Sequence, residues 1–189
     1  MTITLTKFGN LVFRNTVFAT IFGFGSIGFA QMSNQGNLYI ADQGVLYLHS
    51  GALNLGASSS TQTTKSDLNY GKIVMGEGTT TISGATNTIF IDGYVSSLKT
   101  TAFVGHIGAS GERARARVIP SANFGVDMAA YKTNPSLFGT ALSGAVTAVS
   151  TVEYWKVIGN PNTEVSLSWV ASSGVGALTE NDLNNLLIV

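Results

Sequence analysis

The chain has 189 residues, no cysteine, and ten basic side chains balanced by ten acidic ones. Disulfide scaffolds and thiolate metal sites are therefore excluded, and there is no basic excess of the kind a general nucleic-acid binder carries. Charged residues make up 11% of the chain against about 25% in an average domain. Ser, Thr, Asn and Gly must supply the polar surface, a composition that suits pleated strands and tight turns.

Residues 1–30 have the layout of a secretory signal peptide. Lys7 and Arg14 precede an apolar, glycine-rich run from Val17, which ends in Gly28-Phe-Ala30 just before Gln31. A basic start, a short apolar core and small residues at −3 and −1 are what export machinery recognises. The run is shorter than the about 20 apolar residues of a membrane-spanning helix, and its glycines make it a poor soluble helix. Cleavage is expected between Ala30 and Gln31. It leaves 159 residues with eight basic and ten acidic side chains, a formal charge of −2. That length is one ordinary domain with room for a core, so residues 31–189 are taken as a single β-rich domain.

From Gly36 the sequence falls into short beats. Gly36-Asn-Leu-Tyr-Ile40, Gly44-Val-Leu-Tyr-Leu48 and Gly51-Ala-Leu-Asn-Leu55 each place a glycine two residues before an apolar–x–apolar triplet. The outer side chains of such a triplet share one face of a strand, and no helix fits between beats so close together. The segment is either a β-solenoid or a tight meander. Ala57-Ser-Ser-Ser-Thr-Gln-Thr-Thr-Lys-Ser66 interrupts it and reads as a polar loop or a frayed edge. Further beats follow at Gly71-Lys-Ile-Val-Met75, Gly78-Thr-Thr-Thr-Ile82, Thr88-Ile-Phe-Ile91 and Gly93-Tyr-Val-Ser96.

Longer candidate strands come next. Arg113, Arg115 and Arg117 alternate with alanine, which on a strand puts three guanidinium groups on one face about 7 Å apart. Thr151–Ile158 and Glu164–Val170 both alternate, and Gly159-Asn-Pro-Asn162 between them predicts an antiparallel hairpin. In that arrangement Trp155 and Trp169 lie near the core on neighbouring strands. Thr179-Glu-Asn-Asp182 resembles a capping box opening a short helical turn, and Leu186-Leu-Ile-Val189 returns to strand character. The fold class is all-β with minimal helix: a solenoid-like or meander start feeding a layered antiparallel β-domain.

At Ser33–Gly51, Ile91-Asp-Gly-Tyr-Val-Ser96 and Val149-Ser-Thr-Val-Glu-Tyr-Trp155, the chain resembles the N-terminal region of large exported surface proteins of Bacteroidetes. Many of these are cargo of the type IX secretion system. The resemblance spans about residues 32–189 and implies a cell-surface or extracellular location with a structural or adhesive role. It implies no active site. The segment Phe103-Val-Gly-His-Ile-Gly108 departs from the Phe-x-Phe-Pro-x-Gly expected there, and the resemblance implies that further repeats and a C-terminal sorting domain often accompany such a region.

Few residues suit chemistry. After the leader, His49 and His106 stand alone, without ligands at metal-site spacing; Ser50 beside His49 is adjacency, not a triad. Asp42, Asp67, Asp92, Asp127, Glu153 and Glu164 are the carboxylates from which a glycosidase pair, about 5–10 Å apart, would have to come. Asp42 and Asp92 lie in turn sequences that explain them, and no calcium-binding ladder is present. Gly105-His-Ile-Gly-Ala-Ser-Gly111 lacks the residues of a phosphate-binding loop and is read as a connection between strands. The arginine ridge Arg113, Arg115, Arg117 is the sharpest polar feature. It suits flat oxyanions of sulfated or phosphorylated glycans, while the plainer and preferred reading is a solvated face paired to nearby acids. The expectation is an exported non-catalytic module needing no cofactor or metal, with export machinery, surface glycans or further domains as its partners. A carbohydrate-binding module is the alternative and a small secreted hydrolase the less favoured third.

Overall fold

The computed structural model describes residues 31–66, 68–78, 80–120, 125–135, 146, 148–159 and 162–185. The segment expected to be a signal peptide, Asp67, the centre of the turn expected at Gly159–Asn162 and the strand expected at 186–189 lie outside these residues. Nine short strands open the fold: β1 (Gln31–Asn34), β2 (Asn37–Ile40), β3 (Val45–Leu48), β4 (Gly51–Leu55), β5 (Ser60–Thr63), β6 (Lys72–Met75), β7 (Thr80–Ser83), β8 (Ile91–Asp92) and β9 (Tyr94–Ser97). Every third strand pairs in parallel, β1–β4–β7, β2–β5–β8 and β3–β6–β9. The segment is a three-faced β-solenoid of three coils, residues 31–48, 51–75 and 80–97. The glycine beats mark its strands, as the sequence predicts.

Inward side chains stack from coil to coil in register. Met32, Leu53 and Ile82 form one column, Leu46, Ile73 and Val95 another, and Leu38, Thr61 and Ile91 a third. Fully buried members such as Leu53 and Ile73 each contribute about 1.5–3 kcal/mol relative to exposure. The polar stretch 57–66, expected to be a loop or a frayed edge, contains β5 and supplies a rung. Its inward threonines are buried but bonded: Asn34 Nδ2 donates to Thr61 Oγ1 at 2.9 Å, and the Tyr94 N–H donates to Thr63 Oγ1 at 2.8 Å. A buried hydroxyl with a partner carries little penalty, so threonine can serve where an aliphatic residue was expected.

After coil three, two of the solenoid's faces grow into a sandwich. Strand β10 (Phe103–Ala109) adds in parallel to β8, then β11 (Glu112–Pro120) and β14 (Thr163–Leu167) add antiparallel, completing a six-stranded sheet. Strands β12 (Val126–Tyr131) and β13 (Tyr154–Ile158) extend β9 into a five-stranded sheet. Ile107, Ala114, Ala116 and Val118 of the first sheet join Met128 and Ala130 of the second in the same buried cluster as the solenoid columns. The all-β class with a solenoid-like start and a layered antiparallel continuation holds. Among the described residues helix is limited to α1 (Val175–Leu178) and short 3-10 turns. Among the described residues no helix is long and apolar enough to cross a membrane.

Four local expectations are corrected. Strands β13 and β14 are not a hairpin: they belong to different sheets. Trp155, Val157, Val165 and Leu167 pack on the core as their alternation predicts, but Trp169 lies beyond β14 and is 42% exposed. The short helical turn expected after Thr179–Asp182 is present as a 3-10 turn at Leu183–Asn185. Asp182 Oδ1 rather than Thr179 accepts from its backbone, and Thr179 ends α1 with its hydroxyl donating to the Val175 carbonyl. Finally, Gly105–Gly111 is not a loop but most of β10 and the following turn. A Cβ on Gly105 would lie 2.5 Å from Met128 Sδ, so the glycine lets the two sheets approach closely.

Candidate functional site

Two polar arrangements arise from this fold. The first is the outer face of the six-stranded sheet. Alternation along β11 turns Ala114, Ala116 and Val118 inward and leaves Arg113, Arg115 and Arg117 outside. The ridge read from sequence is therefore on one face. His106 of β10 stands directly across from Arg115, and Ser166 of β14 across from Arg117. Two of the three arginines have internal partners: Arg113 Nη1 donates to the Ala85 carbonyl at 3.1 Å, and Arg117 Nη1 to Glu164 Oε1 at 2.9 Å. The Arg115 side chain is exposed and makes no bond to a described residue; its backbone N–H donates to Ser168 Oγ at 2.8 Å. Burial, followed by the charges of Arg113 and Arg115, holds the His106 imidazole below the ordinary histidine range. Its buried Nδ1 has no partner among the described residues.

The second arrangement is a seam of tyrosines, lysines and carboxylates at the five-stranded sheet and its margin with the other. Tyr70 and Tyr94 stack at 3.9 Å between ring centroids, and Tyr131 and Tyr154 stack at 4.5 Å with planes 4° apart. The Tyr131 hydroxyl donates to that of Tyr94 at 2.9 Å. Asp127 accepts from Tyr70 Oη at 2.7 Å and from Lys72 Nζ at 2.9 Å. Burial first, and then the Asp127 carboxylate, push the Tyr70 hydroxyl well above the usual tyrosine range. Lys65 pairs with Asp92, donates to the Ala130 carbonyl at 2.8 Å and lies over the Tyr131 ring. At the far end Lys132 pairs with Glu153 and, at 2.9 Å, with Glu112. Burial lowers the Lys132 pKa, but hydrogen bonds and charge from Glu153 and Glu112 outweigh it and leave the amine above the ordinary lysine range. The Glu112 carboxyl is held low by its bonds to Lys132 and Ser172.

The carboxylates considered for hydrolysis are thus distributed rather than paired across a cleft. Asp92, Asp127, Glu153 and Glu164 each hold a cation, Asp42 sits in a turn, and Asp67 is outside the described residues. His49 touches Tyr47, with Oη and Nδ1 3.4 Å apart, and lies far along the chain from His106. Among the described residues no three His, Asp or Glu side chains are grouped to hold a metal. Of the aromatic residues suited to a sugar platform, Tyr39 is 43% exposed, Tyr94 is fully buried and Trp155 packs on the core. Sequence reasoning missed the Lys132–Glu153–Glu112 cluster because its members are separated along the chain and share no motif. No family model matches the chain, and no curated protein or solved structure matches it.

Proposed function

We propose that the chain is an exported, non-catalytic module of the cell surface or extracellular space, structural or adhesive in role, consistent with its resemblance to Bacteroidetes surface proteins. The observation that carries this reading is the engagement of its ionisable groups. Asp92, Asp127 and Glu164 bind lysine or arginine of the same chain, the pattern of a fold stabilised by polar ties. N-terminal sequencing of material secreted by an exporting host should begin at Gln31. Secreted protein that retains Met1 would overturn the export reading.

A second reading, an anionic-glycan-binding module, is favoured by one observation: Arg115 is exposed and unpaired among the described residues, between two other arginines and opposite His106. Dextran sulfate is a suitable probe. Binding that weakens with added salt and with joint replacement of Arg113, Arg115 and Arg117 by serine would support this reading. Salt-insensitive or absent binding would leave the passive module.

A further inference from the structure

We propose that the side chains of Lys132 and Glu153 condense into an internal amide cross-link, with Glu112 transferring the proton. Lys132 follows the last residue of β12 and Glu153 precedes the first of β13. Tyr131 and Tyr154 are the terminal pair of that antiparallel ladder, so Lys132 and Glu153 occupy the next opposed positions. Lys132 Nζ contacts Glu153 Oε2 and lies 2.9 Å from Glu112 Oε2. The lysine and Glu153 side chains are only 13% and 4% exposed. Glu153 Oε1 is buried without a partner among the described residues, whereas Oε2 is the oxygen that contacts Lys132.

Neighbouring bonds hold the three groups in place. Ser150 Oγ accepts from the N–H groups of Val152 and Glu153 at 3.3 and 3.1 Å. Ser172 Oγ donates to both oxygens of Glu112, at 3.2 and 3.0 Å. In water an ammonium and a carboxylate do not condense, because solvation favours the charges. Burial weakens that advantage, and although the two carboxylates still favour the ammonium form, fixed contact replaces a bimolecular encounter. In the reaction Lys132 passes one proton to Glu153, giving amine and carboxylic acid. The nitrogen attacks Glu153 Cδ; Glu112 takes a second proton from nitrogen as the C–N bond forms and returns it to the departing hydroxyl. The C–O bond breaks and one water leaves. An ammonium and a carboxylate become a neutral amide and water, with no oxidant or cofactor. In a chain without cysteine, this bond would close residues 132–153 covalently.

Lys65 and Asp92 form the natural comparison. Asp92 is 35% exposed, and Lys65 is drawn to the Ala130 and Gly108 carbonyls. The test is the intact mass of the purified, denatured chain, followed by peptide mapping. The expected mass is lower by one water than the sequence requires, with one branched peptide joining the segments of Lys132 and Glu153. Lys132→Arg should restore the full mass. Glu112→Gln should slow cross-linking by on the order of a hundredfold. Folded wild-type protein at full sequence mass would overturn the proposal, whatever the variants do. A missing water mapped elsewhere, to Lys65 and Asp92 or to a dehydrated aspartate, would overturn it equally.

Discussion

His106 shows how a single side chain acquires its properties from a register. The β10–β11 ladder places it opposite Arg115 and one alternate position from Arg113, where partial burial and two fixed positive charges oppose a third. Its folded pKa is therefore below the unfolded value of about 6.5. As pH falls through that value, the unfolded chain takes up the proton before the folded chain does, and stability declines. Proton NMR should give His106 a midpoint below the ordinary histidine value of about 6.5, and Arg115→Ser should raise it. A midpoint unmoved by that substitution would show that Arg115 does not act on the ring. The ridge was legible in the sequence because alternation alone decides which face a strand residue occupies. The histidine's place in it was not, since the glycines around it suggested a loop.

Single strands were legible where glycine and aliphatic residues coincide, as at β2, β3, β4 and β6. They were illegible where polar side chains fill inward positions. Strand β5 is the clearest case, for Thr61 and Thr63 depend on donors from elsewhere in the chain, which no local window contains. The same holds for β13 and β14, whose alternation identified them as strands but could not say that consecutive strands part to different sheets. Asn34 tests how much such polar ties matter. Its Nδ2 donates to Thr61 Oγ1 and the Ser60 carbonyl, and its Oδ1 accepts from Gly36 N–H, joining coil one to coil two. Asn34→Ala should destabilise the fold by about 1–3 kcal/mol, the cost of leaving buried partners unsatisfied. Urea unfolding would read this directly. A change within about 0.5 kcal/mol, as for an ordinary surface position, would mean that the bonds only decorate a rung held by its aliphatic columns.

At the scale of the molecule, the join between solenoid and sandwich decides the behaviour. Strands β8 and β9 are shared: each ends a solenoid face and each pairs with a strand of the sandwich. Leu53 and Ile73 of the coils belong to the same buried cluster as Val118 and Met128 of the layered half. Lys65 spans the join as well, from coil two to the backbone of β10 and β12. A core continuous across the join predicts one cooperative transition. Far-ultraviolet circular dichroism reports on every strand, whereas Trp155 fluorescence, isolated by Trp169→Phe, reports on the sandwich. Their urea midpoints should coincide. Leu53→Ala, confined to the solenoid and fully buried, should cost about 2–5 kcal/mol and move both midpoints together. If Trp155 kept its original midpoint while the dichroism transition split, the halves would unfold separately and the shared strands would not couple them.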